Sequence, residues 1–222
     1  MRYASARKHR LTPYVMYLPS AFEITDAATL HDFVREHALA TWATVADGQP
    51  LVNHIPFILD PQAGAQGTLL GHVARANPVW RALAPSVFAF QGPDAYVSPS
   101  WYPSKREHGK AVPTWNYAVV HAHGTPELVE DRAMLRAILE RQTRAHEAGL
   151  PEPWAVSDAP PDYLEQMLDA IVGIRVPVTR WQGKFKLSQN RSAADRQGVI
   201  RGLGRAHPMA QAIAGANPGR DA

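Results

Sequence analysis

The chain has 222 residues, 45% of them hydrophobic, a formal net charge of +3 and no cysteine. Disulfides, thiolate metal sites and cysteine nucleophiles are thereby excluded, and a chain of this length buries a core without covalent or metal staples. No apolar run reaches the length of a transmembrane helix or follows the basic first fifteen residues as a signal peptide requires, so a soluble, cytoplasmic protein with no membrane partner is expected. Residues 1–15, which carry Arg2, Arg7, Lys8, His9 and Arg10, read as a flexible basic extension. Residues 16–203 read as one domain closed by a C-terminal helix, and the Gly, Ala and Pro content of 204–222 reads as a flexible tail.

Within 26–37, Leu30, Phe33 and Val34 recur at helical spacing behind Thr25 or Asp26 as N-cap, predicting an amphipathic helix. Residues 39–46 (LATWATVA) have strand composition, and Asp47-Gly48 is a two-residue hairpin turn that makes 51–59 the antiparallel partner. A turn-rich stretch over 60–67 leads to a strand over 68–74, after which Asn77-Pro78 opens a short helix carrying Trp80 and Leu83. Strands are predicted over 86–91 and 95–98. Residues 99–113, with three prolines and several charges, read as a long exposed loop that is mobile without ligand and acts as a lid or rim.

Tyr117, Val119, His121 and His123 alternate with Ala118, Val120 and Ala122, a strand pattern over 116–124. Met134, Leu135, Ile138 and Leu139 share one face of a helix over 131–147. A shorter helix follows over 162–171, then a strand over 172–181, and Ser192 with Asp195 opens a last helix through Leu203 in the manner of a capping box. Six or seven strands joined mostly by hairpin-length turns, with helices between them, indicate an α+β fold built on an antiparallel, barrel-like sheet.

The common motif-borne chemistries are absent: no G-x-S-x-G, H-E-x-x-H, phosphate loop or G-x-G-x-x-G after a strand occurs. Four clusters remain. In Gly71-His72-Val73-Ala74-Arg75-Ala76-Asn77-Pro78 a strand end delivers Arg75 and Asn77 to a helix start, which suits a phosphate, although Asn77 is equally an ordinary N-cap. Residues 96–102 and 112–117 combine aromatic faces, hydroxyls and an amide near strand ends, the mixture that holds a planar heterocycle or packs an interface. In 183–192, Lys184 and Lys186 alternate with Phe185 and Leu187, offering two cations to one anionic ligand or to a partner subunit. His121 and His123, with His54 and His72, lack carboxylate or cysteine neighbours at ligand spacing, so they read as pocket histidines and no metal site is assigned.

Met16-Tyr17-Leu18-Pro19, His54-Ile55-Pro56-Phe57, the GHVARANP segment, Ser98-Pro99-Ser100-Trp101-Tyr102, Val112-Pro113-Thr114-Trp115-Asn116-Tyr117 and the GKFKLSQNRS segment occur in order along the chain. Together they resemble the PaiB family of FMN-binding negative transcriptional regulators. The resemblance implies a split β-barrel with peripheral helices, related to pyridoxamine-phosphate oxidases and flavin reductases, that forms a homodimer with FMN at the subunit interface. It also implies site roles: Arg75 and Asn77 on the phosphate, and His54, Pro56, Thr114, Trp115 and Asn116 around the isoalloxazine. His72 is counted with them, and Lys186, Gln189 and Arg191 are expected from the second subunit.

Two functions compete. One is a regulator, with DNA as a partner, although no recognition helix is visible and Arg191, Arg196 and Arg201 are the best available basic face. The other is a flavin-dependent oxidoreductase with Trp101 and Trp115 walling a substrate against the ring. A haem protein, resting only on the four histidines, ranks third, and no catalytic residue is assigned.

Overall fold

The computed structural model describes residues 16–216; the basic extension and residues 217–222 lie outside the described residues. The strands are β1 (Glu23–Ile24), β2 (Leu39–Ala46), β3 (Gln49–Asp60), β4 (Thr68–Ala74), β5 (Ser86–Val97), β6 (Thr114–Gly124), β7 (Glu127–Val129) and β8 (Ile171–Lys186). The α-helices are α1 (Ala27–Glu36), α2 (Ser104–His108), α3 (Arg132–Glu147), α4 (Pro161–Asp169), α5 (Ala193–Leu203) and α6 (Pro208–Gly215). No helix among the described residues is long and apolar enough to cross a membrane.

The sheet runs β1-β8-β4-β3-β2-β5-β6, and β6 returns to pair with β8, so six antiparallel strands close on themselves. Two long strands make the closure. The first half of β8 pairs with β4, as in Gly71 opposite Ile174, and its second half pairs with β6, as in His121 opposite Gln182. Likewise β3 pairs first with β2 and then with β4. Each strand leaves one set of neighbours for another part-way along, which is what splits the barrel into two sheets sharing edges.

The interior follows from the two-residue period of a strand. Trp42, Phe57, Leu69, Phe88, Phe90 and Ile174 point inward and are fully buried, and full burial of one such side chain contributes about 1.5–3 kcal/mol. Trp42 stacks on Phe88 at 5.4 Å and Phe57 meets Phe88 edge-on at 5.2 Å. The Phe57 ring lies so close to β4 that a Cβ at Gly71 would come within 2.8 Å of it, so that position needs glycine. At the β2–β3 turn both Asp47 (φ 50°) and Gly48 (φ 75°) are left-handed, as a tight hairpin turn requires. Asp26 caps α1 by accepting from Thr29 N at 2.8 Å, and Leu30, Phe33 and Val34 are buried as the spacing predicts.

Four expectations are corrected. The stretch 86–98 is one strand, β5, with its register shifted between Gln91 and Asp94; the bulge absorbs Gly92-Pro93, where proline offers no donor to the ladder. The strand expected over 172–181 extends through Lys186. Residues 99–113 are no open loop: a 3₁₀ turn (Pro99–Trp101) and α2 occupy most of it, and Tyr102 is 2% exposed. Asp195 of α5 clamps α2 by accepting from Ser104 N at 3.1 Å and Ser104 Oγ at 2.8 Å, while a Cβ on Gly198 or Gly202 would collide with Trp101. The tail assignment also falls within the described residues, since 208–215 form α6 with Met209, Ala210 and Ile213 buried. Gly204 ends α5, Pro208 stands at the first turn of α6, and alanine favours helix; the same composition had read as a tail.

Candidate functional site

Pleating places Asn116, Ala118, Val120 and Ala122 of β6 inside the barrel and Trp115, Tyr117, Val119, His121 and His123 outside. The registers extend that outer face across the sheet. His54, Thr41, Ala89, His121 and Gln182 lie opposite one another in one row, and Val52, Ala43, Val87, His123 and Arg180 in the next. Leu39, Val45, Val52, Tyr96 and Trp115 on this face are 61, 52, 54, 47 and 54% exposed. It is therefore an apolar and aromatic surface that this chain leaves open.

At one end of the face the last residues of β8 bring cations beside those aromatics. Lys186 Nζ donates to Thr114 Oγ1 and, at 2.6 Å, to the carbonyl of Trp115. Lys184 is 7% exposed; its Nζ donates to the Tyr17 carbonyl at 2.8 Å and lies 5.2 and 5.3 Å from the rings of Tyr17 and Tyr117. The Arg191 guanidinium stacks over Tyr102 at 4.7 Å. Burial, together with the charges of Lys184 and Arg191, holds the Lys186 ammonium below its ordinary pKa. Among the described residues no carboxylate forms an ion pair with any of the three.

The turn that carries Arg191 is built by two of the predicted site residues. Ser188 is left-handed (φ 62°). Gln189 braces it, accepting from Leu187 N at 2.7 Å and donating to the Phe185 carbonyl. Asn116 donates to Ser188 Oγ at 2.8 Å and is 1% exposed. Asn116 and Gln189 thus shape the rim rather than face outward. Beneath them a cleft of about 570 Å³ opens between α1, α6 and the end of β8, lined by Phe33, His37, Phe185, Leu187 and Ala212 among others.

The remaining predicted residues sit elsewhere. His54 and Pro56 are exposed on the outer face of β3. His72 Nδ1 lies 2.8 Å from Gln142 Oε1, and Gln142 Nε2 donates to the Pro56 carbonyl at 3.1 Å. Gln142 was missed by sequence reasoning; its signal is a polar residue in line with the buried Leu135 and Ile138 on the inner stripe of α3. Arg75 Nε and Nη2 donate to the carbonyls of Asp169 and Ile171 at 2.8 and 2.9 Å, tying the end of α4 to β4. Asn77 caps Val79 N at 3.0 Å and donates to Asn53 Oδ1 at 2.8 Å, and the helix it opens is four residues of 3₁₀ (Pro78–Arg81). One chain therefore brings Thr114, Trp115 and Lys186 together, with Arg191 alongside, but does not join them to His54, Pro56, His72, Arg75 or Asn77.

His121 and His123 are both held below the usual histidine pKa, chiefly by burial. The proximity of His123 adds to the effect at His121; at His123 the bond to Gln182 opposes it and Arg180 reinforces it. Among the described residues no three His, Cys, Asp or Glu side chains converge as a metal site.

Residues 16–180 match the family described as "Putative FMN-binding domain". The chain belongs to this family. It is 35% identical to the protease synthase and sporulation protein PAI 2 of Bacillus subtilis, which is PaiB, over 85% of this chain and 89% of that one. FMN is the cofactor of the PaiB-type family so identified. Among solved structures it resembles the FAD- and haem-binding protein of Mycobacterium smegmatis, with a TM-score of 0.55 and 24% identity over 74% of this chain and 73% of that one. A flavocytochrome of Azotobacter vinelandii gives 0.54 and 15% over 74% and 69%. At such identities the likeness concerns the fold, the split β-barrel expected from sequence.

Proposed function

We propose that this PaiB-type chain works as a homodimer holding FMN on the outer face of its barrel between the two copies, and that the flavin-bound dimer is a negative regulator of transcription. The observation that carries the binding reading is the convergence, on one open sheet face, of exposed apolar residues, an aromatic wall and cations without carboxylate partners. The donor set fits the group. Tyr96 and Trp115, with ring centroids 6.3 Å apart, offer apolar faces to an isoalloxazine, Thr114 and His54 offer polar edges, and Lys186 and Arg191 suit a phosphate.

A second copy follows from distance. His54 and His121 share a row but lie three strand spacings apart, about 14 Å at the usual spacing, so a single chain leaves His54 remote from the Trp115 end. A two-fold partner laid on the same face would bring one copy's β3 to the other's β6 and cover Leu39, Val45 and Val52.

The regulatory part draws on family membership. Helices α5 and α6 are consecutive and joined by a short turn, but α6 (PMAQAIAG) carries neither Lys nor Arg and spends Met209, Ala210 and Ile213 on the core, so it is unsuited to reading a groove. A flavin-dependent oxidoreductase is favoured by one observation, the exposed Tyr96–Trp115 wall, which leaves room for a second planar ligand beside the ring. Trp101, expected to share that wall, instead packs on Gly198 and Gly202 of α5. An absorption spectrum of the purified protein tests the flavin. Nicotinamide oxidation with added FMN supports the enzyme, and DNA retention that survives raised salt supports the regulator.

A further inference from the structure

We propose that the cleft between α1, α6 and the end of β8 binds a small organic cation, an ammonium carried on a compact apolar body. This site is separate from the outer face of the barrel. Phe185 and Leu187 line the cleft, whereas Lys186, on the alternate pleat of the same strand end, reaches Thr114 and Trp115.

The walls are two helical stripes. Thr29, Phe33 and Glu36 on α1 and Gln211, Ala212 and Gly215 on α6 recur at helical spacing, so one face of each helix looks into the gap. Each helix meets the core through other residues, Leu30 and Val34 in α1 and Met209, Ala210 and Ile213 in α6. The floor is apolar and closed, with Ala118 and Leu187 each 3% exposed. A concave space of about 570 Å³ with such a floor and few polar groups at its rim suits a small molecule better than it suits a flat protein surface.

Charge selects the class of ligand. Among the described residues no Lys or Arg lines the cleft, and its ionisable lining is Glu36 and His37. His37 is packed against Phe33, with ring centroids 4.4 Å apart, and its Nε2 lies 2.9 Å from where a Cβ on Gly92 would stand. Glu36 is exposed and forms no ion pair among the described residues, while the neighbouring Arg35 is engaged by Asp32. Glu36 stands in the last turn of α1, where unsatisfied carbonyls already make the helix end negative and a carboxylate is unfavourable. The end of α6, at Gly215 and Ala216, brings a second set of such carbonyls to the same cleft. A carboxylate set against its local preference, with no cation of its own and beside an apolar floor, is complementary to an ammonium on an apolar body. A neutral ligand of the same shape gains the apolar contacts alone, and an anionic one meets repulsion.

The test is calorimetric titration of cyclohexylmethylamine, cyclohexylmethanol and cyclohexanecarboxylate, which share a ring and differ in charge, into the wild-type protein, Glu36→Gln and Gln211→Trp, with and without FMN. The amine should bind the wild type about three- to tenfold more tightly than the alcohol, and the carboxylate more weakly than either. Glu36→Gln should bring the amine to within about twofold of the alcohol and leave the alcohol unchanged. Gln211→Trp, which sets a bulky ring at the cleft mouth from an exposed position, should weaken amine and alcohol alike. The urea midpoint of Glu36→Gln should equal or exceed that of the wild type, because the carboxylate opposes the helix end; a lowered midpoint would mean that Glu36 serves the fold, and would overturn the role given to it. FMN should leave amine affinity unchanged, and competition between them would assign the cleft to the flavin instead. Equal wild-type affinity for amine and alcohol, a preference that survives in Glu36→Gln, or amine binding indifferent to Gln211→Trp would each overturn the assignment. So would a wild type that binds no amine because a second copy, or the residues beyond Ala216, fill the cleft.

Discussion

Arg75 shows how a side chain can find partners distant in sequence. Its position at a strand end before Asn77-Pro78 suits a phosphate by local reading, but its guanidinium meets Asp169 and Ile171, more than ninety positions on. Because these bonds are charge-assisted and solvent-exposed, Arg75→Ala is expected to lower stability by about 1 kcal/mol, measured as a shifted urea midpoint. Asn77 behaves as local chemistry dictates, because an N-cap depends only on the next two or three residues. Thr114, Trp115 and Lys186 were legible as polar and aromatic residues at strand ends, whereas Gln142 was hidden because its bonds to His72 and Pro56 depend on where α3 lies over the barrel. His121 gives a pH signature. Its folded pKa is depressed, first by burial and then by His123, so the unfolded chain takes up protons first as pH falls. The stability linked to neutral His121 is fully present above the unfolded value of about 6.5 and is lost as pH drops from there through the lowered folded value. Unfolding free energy measured between pH 8 and 5 should decline below about 6.5, and His121→Asn should flatten that decline; an unchanged slope would mean that the ring contributes nothing.

At the scale of elements, what is periodic was readable and what is held by remote contacts was not. The β2–β3 hairpin follows from LATWATVA, Asp47-Gly48 and a second strand, and α1 and α3 follow from their apolar stripes. Residues 99–113 looked like a lid because their own composition buries little; the clamp on them comes from Asp195, about ninety residues later. Asp195→Ala is therefore expected to raise tryptic cleavage at Lys105 and Arg106, with or without FMN, whereas a free lid would already be cut in the wild type and be protected only by ligand. Helix α6 was lost to composition, since glycine, alanine and proline mark both tails and helix ends. Met209 is fully buried with Tyr102, Leu187 and Val199, so Met209→Ala should cost about 2–5 kcal/mol in chemical denaturation. A cost below about 0.5 kcal/mol, the usual surface range, would return the segment to a tail.

For the whole molecule, a barrel closed by β8 leaves one sheet face with half-exposed Leu39, Val45 and Val52, and the candidate flavin groups lie along that same face. Sequence alone could not show this, because the face is assembled from five strands whose registers are set by closure, and because its two useful ends, β3 and β6, are separated by the width of the sheet. If the flavin lies between two copies on this face, flavin binding and dimerisation go together. Ala43 lies in the middle of the face, opposite Val52 and Val87; Ala43→Arg would place an unpaired cation in the proposed interface, away from the phosphate subsite. The most direct measurement is sedimentation equilibrium followed at the flavin absorption band, for the wild type and for Ala43→Arg. FMN should sediment with twice the 24.4 kDa chain mass in the wild type, and the variant should run as a monomer that leaves FMN behind; flavin sedimenting with a single chain in either protein would contradict the account.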